Sequence, residues 1–508
     1  MITNLIEYFE NTTANINAEK TAVIDNDKEY SFKYIRDNSK KIATYLLSHN
    51  IAVYNQTVAV FLDKSVNVVI ANVAAIYSCM PYMNMDTKTP IYRISNIIEQ
   101  VNPAFIITNT KYEEKIKEIF NGVIINIDTF DFNIAISEEA IKERQKYHID
   151  TNPLCIINTS GSTGTPKSVV LNHRSFFDFM AWSFETMPFT DNEVIGSLSP
   201  VVFDIYSFEL CLMMAKSSTI MFIPDNLAMF PVKILQMLEK YKATFLFWVP
   251  TIMVNIANME LLDKADLSSV KLIWFAGEVF PTKQLNLWRR ELPYTMFVNM
   301  YGPIEITLDC TYFIVDRDFA DDEALPIGYP CRNSDILILD DDKEAANGED
   351  GELCVRGTSL AMGYYNNPEK TRAAFVQNPL NPYYPELIYR TGDIVCKNSR
   401  GEIMFKGRKD TLIKHLGYRI ELGEIEHIIV SVLKIVDNVC VMYDKPKKEI
   451  ICVYENDAEI SMVDFRKKIG DALPKYMMPT RYIHTLNMPR NTNGKIDRNT
   501  LKLQYIGE

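Results

Sequence analysis

The sequence predicts an α/β protein with more than one domain, and three features carry that prediction. A chain of 508 residues is too long for a single hydrophobic core and corresponds to roughly two to four domains or subdomains. Short apolar runs rich in β-branched and aromatic residues alternate with helix-like stretches, which is typical of parallel α/β sheets. The charge is uneven, because residues 411–508 hold 15 Lys and Arg against 13 Asp and Glu (net +2), whereas the whole chain has a net charge of −12. We therefore predict that the C-terminal part forms a separate domain.

Two series of strands are predicted, one before and one after residue 160. The first series comprises residues 57–62, 104–109, 122–127 and 154–160, with helices predicted at 91–100 and 113–120. The second comprises residues 218–224, 243–250 and 271–277. Two such series predict two α/β subdomains. The apolar stretch 66–85 is interrupted by polar residues and by Pro81, so we expect a buried helix there and not a lipid-exposed span.

The local sequence pattern changes from about Ile327. Shorter apolar runs separated by glycine-containing turns predict a β-rich subdomain there. After Asp410 we predict a helix at 421–433, a pair of strands near 438–454 and a helix near 461–472, which together form a small α+β domain. The predicted organisation is a large N-terminal domain of residues 1–409, with two α/β subdomains and the β-rich subdomain, and a small C-terminal domain of residues 410–508.

Composition excludes several classes of protein. The hydrophobic share of 47% and the charged share of 23% are those of a folded globular chain, not of a disordered or fibrous one. A net charge of −12 argues against broad binding to nucleic acid or anionic lipid. Nine cysteines without a CxxC pair predict buried thiols in a reducing compartment, and the N-terminus lacks the basic and apolar regions of a secretion signal. We therefore expect a cytoplasmic protein without membrane insertion.

A loop of small residues follows the last strand of the first series and ends in a lysine. Its glycines and hydroxyl side chains let backbone N–H groups approach phosphate oxygens, and Lys167 adds positive charge. It is not the Walker pattern, because Pro166 precedes Lys167 and Ser168 follows it. Taken alone, this loop sequence is equally compatible with a phosphate-binding loop and with a turn that binds no ligand. The candidate phosphate contacts are Thr159, Ser160, Gly161, Ser162, Thr163, Gly164 and Lys167.

Six segments in a fixed order give the chain a resemblance to a known family. They are TSGSTGTPK (159–167), NMYGPIE (299–305), YRTGD (389–393), GRKD (407–410), GYRIELGEIE (417–426) and NGKIDR (493–498). Together they resemble the adenylate-forming (ANL) superfamily of ATP-dependent acyl and aminoacyl ligases. The resemblance implies an enzyme in which a substrate carboxylate attacks the α-phosphate of ATP to form an acyl adenylate, and a thiol then displaces AMP. It also implies that residues 1–409 bind ATP and substrate, and that residues 410–508 move as a lid about a hinge at Asp410.

The motifs contain residue types suited to a nucleotide. Tyr301 offers a face for adenine and Asn299 an amide edge for the base, and Glu305 offers an oxygen ligand to Mg²⁺ on the phosphates. The resemblance implies that Asp393 accepts hydrogen bonds from both ribose hydroxyls, with Arg408 nearby. Met300 and Gly302 complete the predicted nucleotide contacts. Outside the motifs, Glu305 would be interpreted as a solvated carboxylate and Asp393 as a turn-capping residue.

Lys495 is the candidate for the largest catalytic effect. Adenylation concentrates negative charge on the carboxylate, the α-phosphate and the leaving pyrophosphate, and a preorganised ammonium stabilises that transition state. An arbitrary lysine near a C-terminus would lie in solvent, but its place in NGKIDR favours the catalytic role. The predicted catalytic residues are Lys495, Glu305 and Lys167.

The substrate is expected to carry an ammonium group. Asp204 lies in a segment, FDIYSF (203–208), that is similar to the one with which amino-acid-activating members of the family bind the substrate ammonium. A buried carboxylate without a cationic ligand would be costly, although Asp204 could instead bond nearby backbone. Phe208, Phe247 and Trp274 are bulky, so the predicted pocket has room only for a substrate with a short side chain. Each of the three is equally compatible with a role in core packing. The predicted pocket consists of Asp204, Ile205, Phe208, Phe247, Trp274, Ala276, Gly277, Met300, Leu308 and Asp309.

The chain resembles, in particular, freestanding D-alanine:carrier-protein ligases, through FAGEV (275–279) and its overall length. This resemblance implies transfer of a small amino acid such as D-alanine to the phosphopantetheine thiol of a carrier protein in trans. Ala276 departs from the cysteine usual in those ligases, and Ile304 replaces a threonine typical of the wider family. The alternatives are an acyl- or aryl-acid ligase that uses coenzyme A, which Asp204 opposes, and a non-catalytic nucleotide-binding relative, which Ile304 slightly favours.

Overall fold

The computed structural model of the protein describes residues 2–15, 18–49, 52, 54–159, 167–409, 412–436, 438–490 and 496–507. The chain divides into two compact units. Unit 1 contains Met1–Thr87, Val101–Ile157 and Ser168–Lys409, and unit 2 contains Lys88–Gln100, Asn158–Lys167 and Asp410–Glu508. The mobile lid and its hinge at Asp410 remain predictions, and Asp410 lies outside the described residues.

The described residues contain fifteen α-helices. They are α1 (Leu5–Asn15), α2 (Phe32–Leu47), α3 (Val66–Tyr77), α4 (Ile91–Val101), α5 (Glu113–Lys117), α6 (Glu138–Gln145), α7 (His173–Thr186), α8 (Asp204–Lys216), α9 (Pro231–Lys240), α10 (Pro250–Asn258), α11 (Thr282–Glu291), α12 (Pro368–Ala374), α13 (Leu422–His427), α14 (Met462–Gly470) and α15 (Arg498–Tyr505).

The strands of the described residues number twenty-seven. They are β1 (Thr21–Asp25), β2 (Lys28–Ser31), β3 (Val58–Val60), β4 (Tyr82–Asn84), β5 (Phe105–Thr108), β6 (Val123–Asn126), β7 (Pro153–Thr159), β8 (Lys167–Asn172), β9 (Val194–Ser197), β10 (Thr219–Phe222), β11 (Phe245–Trp248), β12 (Leu272–Phe275), β13 (Met296–Tyr301), β14 (Thr311–Ile314), β15 (Tyr329–Pro330), β16 (Ser334–Asp340), β17 (Lys343–Glu344), β18 (Gly351–Gly357), β19 (Gly363–Tyr364), β20 (Phe375–Gln377), β21 (Leu387–Lys397), β22 (Ile403–Arg408), β23 (Leu412–His415), β24 (Tyr418–Glu421), β25 (Asn438–Asp444), β26 (Glu449–Glu455) and β27 (Arg481–Thr485).

Two largely parallel sheets form the α/β part of the molecule. One has seven strands in the order β19-β8-β7-β4-β3-β5-β6, and the other has nine in the order β15-β14-β13-β12-β11-β9-β10-β1-β2. Strands β1 and β9–β13 of the nine-stranded sheet run parallel, with antiparallel strands at both edges. Their central strands are buried apolar runs, as expected for sheets covered on both faces. The predicted α/β fold is confirmed.

The border between the two sheets does not fall at residue 160, contrary to the expectation from the sequence. Strand β1 joins the nine-stranded sheet by pairing with β10, where Val23 faces Ile220. Strand β8 follows residue 160 but belongs to the seven-stranded sheet, as does β19. Hydrogen bonding between strands far apart in the chain decides sheet membership, and the order of the apolar runs does not reveal it.

The stretch 66–85 is not one buried helix. Helix α3 ends at Tyr77, and the chain then turns into β4. Cys79 has a positive φ of 52°, which breaks the helical backbone, and Pro81 cannot donate a helical hydrogen bond. The helix predicted at 113–120 ends at Lys117, and the helix predicted at 421–433 is α13 followed by a π-helical turn over Ile428–Val432.

The β-rich part is an antiparallel sheet of six strands in the order β17-β16-β18-β21-β20, with β22 paired to β21. In unit 2, β23 and β24 form a hairpin, and β25-β26-β27 form a three-stranded sheet with its own apolar core around Ile425 and Phe465. Among the described residues, no helix is both long and apolar enough to span a membrane.

Helix α8 carries a carboxyl group into the apolar core of unit 1. Glu209 has no exposed surface, and its Oε2 accepts a 2.5 Å hydrogen bond from the Ser197 hydroxyl on β9. Its Oε1 has no hydrogen-bond partner within the described part of the chain. Burial raises the pKa of Glu209 to about 7 from its ordinary 4.5.

Between these two pKa values the folded chain binds more protons than the unfolded chain, so the free energy of unfolding falls as the pH rises. We expect Glu209→Gln to exceed the wild type in stability at pH 8 by on the order of 2–3 kcal/mol, with little difference at pH 5. Urea unfolding at several pH values measures this, with Glu260→Gln at an exposed position as control. A stability difference that does not change with pH would contradict the prediction.

Candidate active site

The predicted phosphate loop is described only at its two ends. Thr159 is the last residue of β7 and is buried, and Lys167 is the first residue of β8. The Lys167 ammonium lies 3.6 Å from the Glu421 carboxylate, both within unit 2. The predicted contacts Ser160, Gly161, Ser162, Thr163 and Gly164 lie outside the described residues.

Strand β13 brings three of the predicted nucleotide contacts to its carboxyl end. Asn299, Met300 and Tyr301 are all buried there, and the Asn299 amide donates a 2.7 Å hydrogen bond to the carbonyl of Pro326. Gly302 follows at a close backbone crossing, where a Cβ would lie 2.3 Å from the carbonyl oxygen of Leu308. A side chain at position 302 would therefore displace the backbone of this loop.

The Asp393 carboxylate is held at a break in the β-ladder. It lies on β21 opposite Arg408 of β22, and the register of this pair of strands shifts just after it. Such a bulge re-aims the side chains beside it. The Arg408 guanidinium donates to Oδ1 at 2.6 Å, and the Tyr301 hydroxyl donates to Oδ2. The structure thus brings together Tyr301, Asp393 and Arg408, three of the residues that the sequence predicted for nucleotide binding.

Two residues that the sequence analysis missed support the turn that carries Asp393. Glu352, 8% exposed, accepts hydrogen bonds from the Gly392 N–H at 3.0 Å and from the Arg390 guanidinium at 3.2 Å. The Thr391 hydroxyl donates to the Leu353 carbonyl at 2.7 Å and accepts from the Asp393 N–H at 3.0 Å. No local signal marks Glu352, because its partners lie about 40 positions further along the chain.

Glu305 lies in a 3₁₀ turn, Ile304–Ile306, and is fully buried. Its Oε1 accepts a 2.9 Å hydrogen bond from the Tyr364 hydroxyl, and its backbone carbonyl accepts one from the Ala361 N–H. Tyr364 was also missed, because no local pattern links it to Glu305, which lies 59 positions earlier in the chain. A buried carboxylate needs such donors, since an unpaired charge in the interior is costly.

Asp204 is the first residue of α8, and its Oδ1 accepts a 3.0 Å hydrogen bond from the Ile205 N–H. Phe208 lies one helical turn further on and therefore on the same face of α8. Phe208 is fully buried and stacks on Trp274, with ring centroids 5.3 Å apart and an interplanar angle of 11°.

Trp274 is the centre of an aromatic cluster. Phe247 on the neighbouring strand β11 meets it edge-on at 5.3 Å, and Phe189 and Phe245 contact it in the same way. The Trp274 indole N–H is buried and finds no hydrogen-bond partner among the described residues. Phe208, Phe247 and Trp274 of the predicted wall therefore pack against one another in the interior of unit 1.

The remaining predicted pocket residues are buried or lie next to buried strands. Ile205, Ala276, Met300, Leu308 and Asp309 are each at most 7% exposed, and Gly277, with a φ of 92°, directly follows Ala276. Leu308 and the preceding Thr307 both have positive φ, at 64° and 56°, which is strained for non-glycine residues. Lys495, the predicted catalytic lysine, lies outside the described residues.

The fold is that of an AMP-binding enzyme. Residues 10–365 match the AMP-binding enzyme family, so the chain belongs to that family.

Comparison with curated proteins agrees with this assignment. The chain is similar to one subunit of the mycosubtilin synthase of Bacillus subtilis, with 28% identity over 501 residues that make up 96% of this chain and 19% of that protein. It therefore spans about a fifth of the length of that relative.

Two solved structures share the fold. One is the Vibrio cholerae adenylation domain AlmE in complex with glycyl-adenosine-5'-phosphate, at a TM-score of 0.84 and 19% identity, covering 100% of this chain and 98% of the other. The other is a holo NRPS protein containing adenylation and PCP domains, at a TM-score of 0.82 and 20% identity, covering 99% and 84%.

Gly302→Ala is expected to disturb the predicted nucleotide contacts at the end of β13, because the new Cβ meets backbone atoms of Leu308 and Asp309 that cannot rotate away. We expect AMP affinity to fall by about tenfold or more, measured by isothermal titration calorimetry. The midpoint temperature of thermal unfolding is measured alongside. The control is Gly470→Ala at the end of α14, where a Cβ meets nothing within 4 Å. Wild-type AMP affinity in the Gly302 variant would contradict this.

Proposed function

We propose that the chain activates a small amino acid, such as D-alanine, with ATP and Mg²⁺ and transfers the aminoacyl group to the phosphopantetheine thiol of a carrier protein in trans. The observation that carries this proposal is the position of Asp204 one helical turn before Phe208 on α8, with Trp274 stacked on Phe208. A carboxylate beside an aromatic block suits an ammonium group that stands next to a short side chain.

Asp204 supports an amino acid over other carboxylic acids. The Ile205 N–H supplies one hydrogen bond to its carboxylate, and a substrate ammonium would supply a charged donor, which forms a stronger bond. A fatty or aryl acid offers no such charged donor.

The aromatic block supports a short side chain. Phe208, Phe247 and Trp274 are fully buried and in ring contact with one another, and rotation of one ring in a close-packed interior would displace its neighbours. The solved structure of AlmE with glycyl-adenosine-5'-phosphate is a relative in fold that holds the smallest amino acid as its adenylate.

The first half-reaction couples the acid to the nucleotide. The substrate carboxylate attacks the α-phosphate in line, a phosphorus–oxygen bond to it forms, and pyrophosphate leaves with the electrons of the bond that breaks. Asp393 would hold the ribose so that the α-phosphate stays in position, and Lys495 would stabilise the charge that develops.

Glu305 suits Mg²⁺, which proteins usually hold through one or two carboxylates together with substrate phosphates and waters. The described residues contain no group of three or more His, Cys, Asp or Glu able to hold a metal alone, so a single carboxylate acting with phosphates fits the donor set. When bound, the ion would neutralise phosphate charge.

The second half-reaction needs a thiol from outside this chain. All nine cysteines are buried and unbridged, and burial raises the pKa of Cys155 to about 12 and that of Cys440 to about 11. Thiols with such pKa values stay protonated and are poor nucleophiles. A carrier protein would supply the thiol, and one solved protein of the same fold contains both adenylation and PCP domains. Unbridged cysteines also support action in the reducing cytoplasm.

Pyrophosphate exchange against a panel of amino, aryl and fatty acids tests the proposal. Exchange with small amino acids supports it, and exchange only with aryl or fatty acids supports the coenzyme A ligase. No exchange with any acid, while AMP binds, supports a non-catalytic relative. Transfer to a phosphopantetheinylated carrier, compared with coenzyme A, then identifies the thiol.

Lys495→Ala is expected to abolish amino-acid-dependent pyrophosphate exchange and to leave ATP binding measurable, because the ammonium acts on charge that develops only in the transition state. Lys502→Ala, at an exposed position on α15, is the control. Undiminished exchange in the Lys495 variant would remove this residue from the mechanism.

Asp204→Ala is expected to weaken the use of amino acids selectively, by about tenfold or more in kcat/KM, since a charged hydrogen bond to the ammonium is lost. Des-amino analogues of the same acids should react at least as well as with the wild type. Asp464→Ala, in the first turn of α14, is the matched control. An equal loss with amino and des-amino acids would reject the ammonium role.

A further inference from the structure

The ribose-binding carboxylate that the proposed function requires is already engaged by two donors of the protein. Asp393 is 4% exposed, its Oδ1 accepts from Arg408 at 2.6 Å, and its Oδ2 accepts from the Tyr301 hydroxyl. The three residues come from β21, β22 and β13, and all belong to unit 1. Each carboxylate oxygen therefore has one protein donor.

The Tyr301 hydroxyl is a donor in this contact. Burial, and then the neighbouring Asp393 charge, raise the pKa of Tyr301 well above its ordinary value, so the phenol keeps its proton at neutral pH. An ionised carboxylate accepts only, so the proton of this hydrogen bond belongs to Tyr301.

An ionised carboxylate has about four acceptor positions, two on each oxygen. Arg408 takes one position on Oδ1, and Tyr301 takes one on Oδ2. Among the described residues, no further donor reaches either oxygen, so one position remains on each, and both lie in the plane of the carboxylate. Two neighbouring acceptors in one plane suit the two hydroxyls of a vicinal cis-diol. The 2'- and 3'-hydroxyls of a ribonucleotide form such a diol.

We propose that the hydroxyl of Tyr301 is a positioning group, which with Arg408 fixes the plane of the Asp393 carboxylate so that it accepts both hydroxyls of a ribonucleotide. This inference rests on the proposed function and adds to it a second task for Tyr301, separate from contact of its ring with adenine. Without the hydroxyl, the carboxylate can rotate about its Cβ–Cγ bond and must be reordered when the diol binds.

Tyr301→Phe removes the hydroxyl and keeps the ring, so the two tasks can be measured separately. The test is calorimetric binding of AMP, 2'-deoxy-AMP, 3'-deoxy-AMP and 2',3'-dideoxy-AMP to the full chain. In the wild type we expect dideoxy-AMP to bind about tenfold or more weaker than AMP. In Tyr301→Phe that ratio should fall by about three- to tenfold, and the affinity for dideoxy-AMP should stay within about twofold of wild type.

Tyr77→Phe is the matched control, because Tyr77 is also a buried tyrosine whose hydroxyl donates to a carboxylate, that of Glu10. It should leave all four affinities unchanged. Arg408→Lys is a second variant, which retains the positive charge but not the planar donor, and it should also lower the ratio. Arg408→Lys keeps the proposal falsifiable if Tyr301→Phe does not fold.

Each contrary result has a distinct meaning. Tighter AMP binding in Tyr301→Phe would show that the hydroxyl competes with ribose, and this overturns the proposal. An equal loss for AMP and dideoxy-AMP would assign the effect to the ring or to folding and also overturns it, as does an unchanged ratio. A wild-type chain that binds no AMP would instead refute the nucleotide-dependent function.

Discussion

The parallel pairing of β11, β12 and β13 is the constraint on which the site depends. In this register Phe247 faces Trp274, and Phe275 faces Asn299, so that the carboxyl ends of the three strands meet at one edge of the nine-stranded sheet. Open α/β sheets bind ligands beyond that edge. A slip of one residue would turn Trp274 and Tyr301 to the opposite face, which would remove both the aromatic block and the phenol from the site.

Buried carboxylates are the second organising feature. Asp393 on β21 accepts a hydrogen bond from the Tyr301 hydroxyl on β13, and Glu305 in its 3₁₀ turn accepts one from the Tyr364 hydroxyl on β19. Asp393 is also paired with Arg408. Such charges are tolerated in the interior only when donors compensate them, so the positions of the two acids are tied to those of Tyr301 and Tyr364. The β-rich sheet and the nine-stranded sheet of unit 1 are thereby joined at the site by polar contacts.

The sequence predicted most of the elements because their signals are local. Short β-branched and aromatic runs such as those of β5, β11 and β12 are buried strands within one or two residues of the predicted bounds. Prediction failed where the outcome depended on distant partners or on a single backbone angle. Strand β1 joined the sheet of later strands, and the positive φ of Cys79 ended α3 eight residues before the predicted end of that helix.

The sequence by itself determined the class of this protein and most residue types of its site, because the motifs carry the donors, acceptors and glycines that a nucleotide requires at fixed local spacings. Only the tertiary structure decided how those groups are held. Tyr301 and Asp393 are 92 positions apart, and Tyr364 and Glu305 are 59 apart. Pairs at such separations obey no helical or strand periodicity. They form because the register between strands brings them within hydrogen-bond distance, and no local pattern encodes that register.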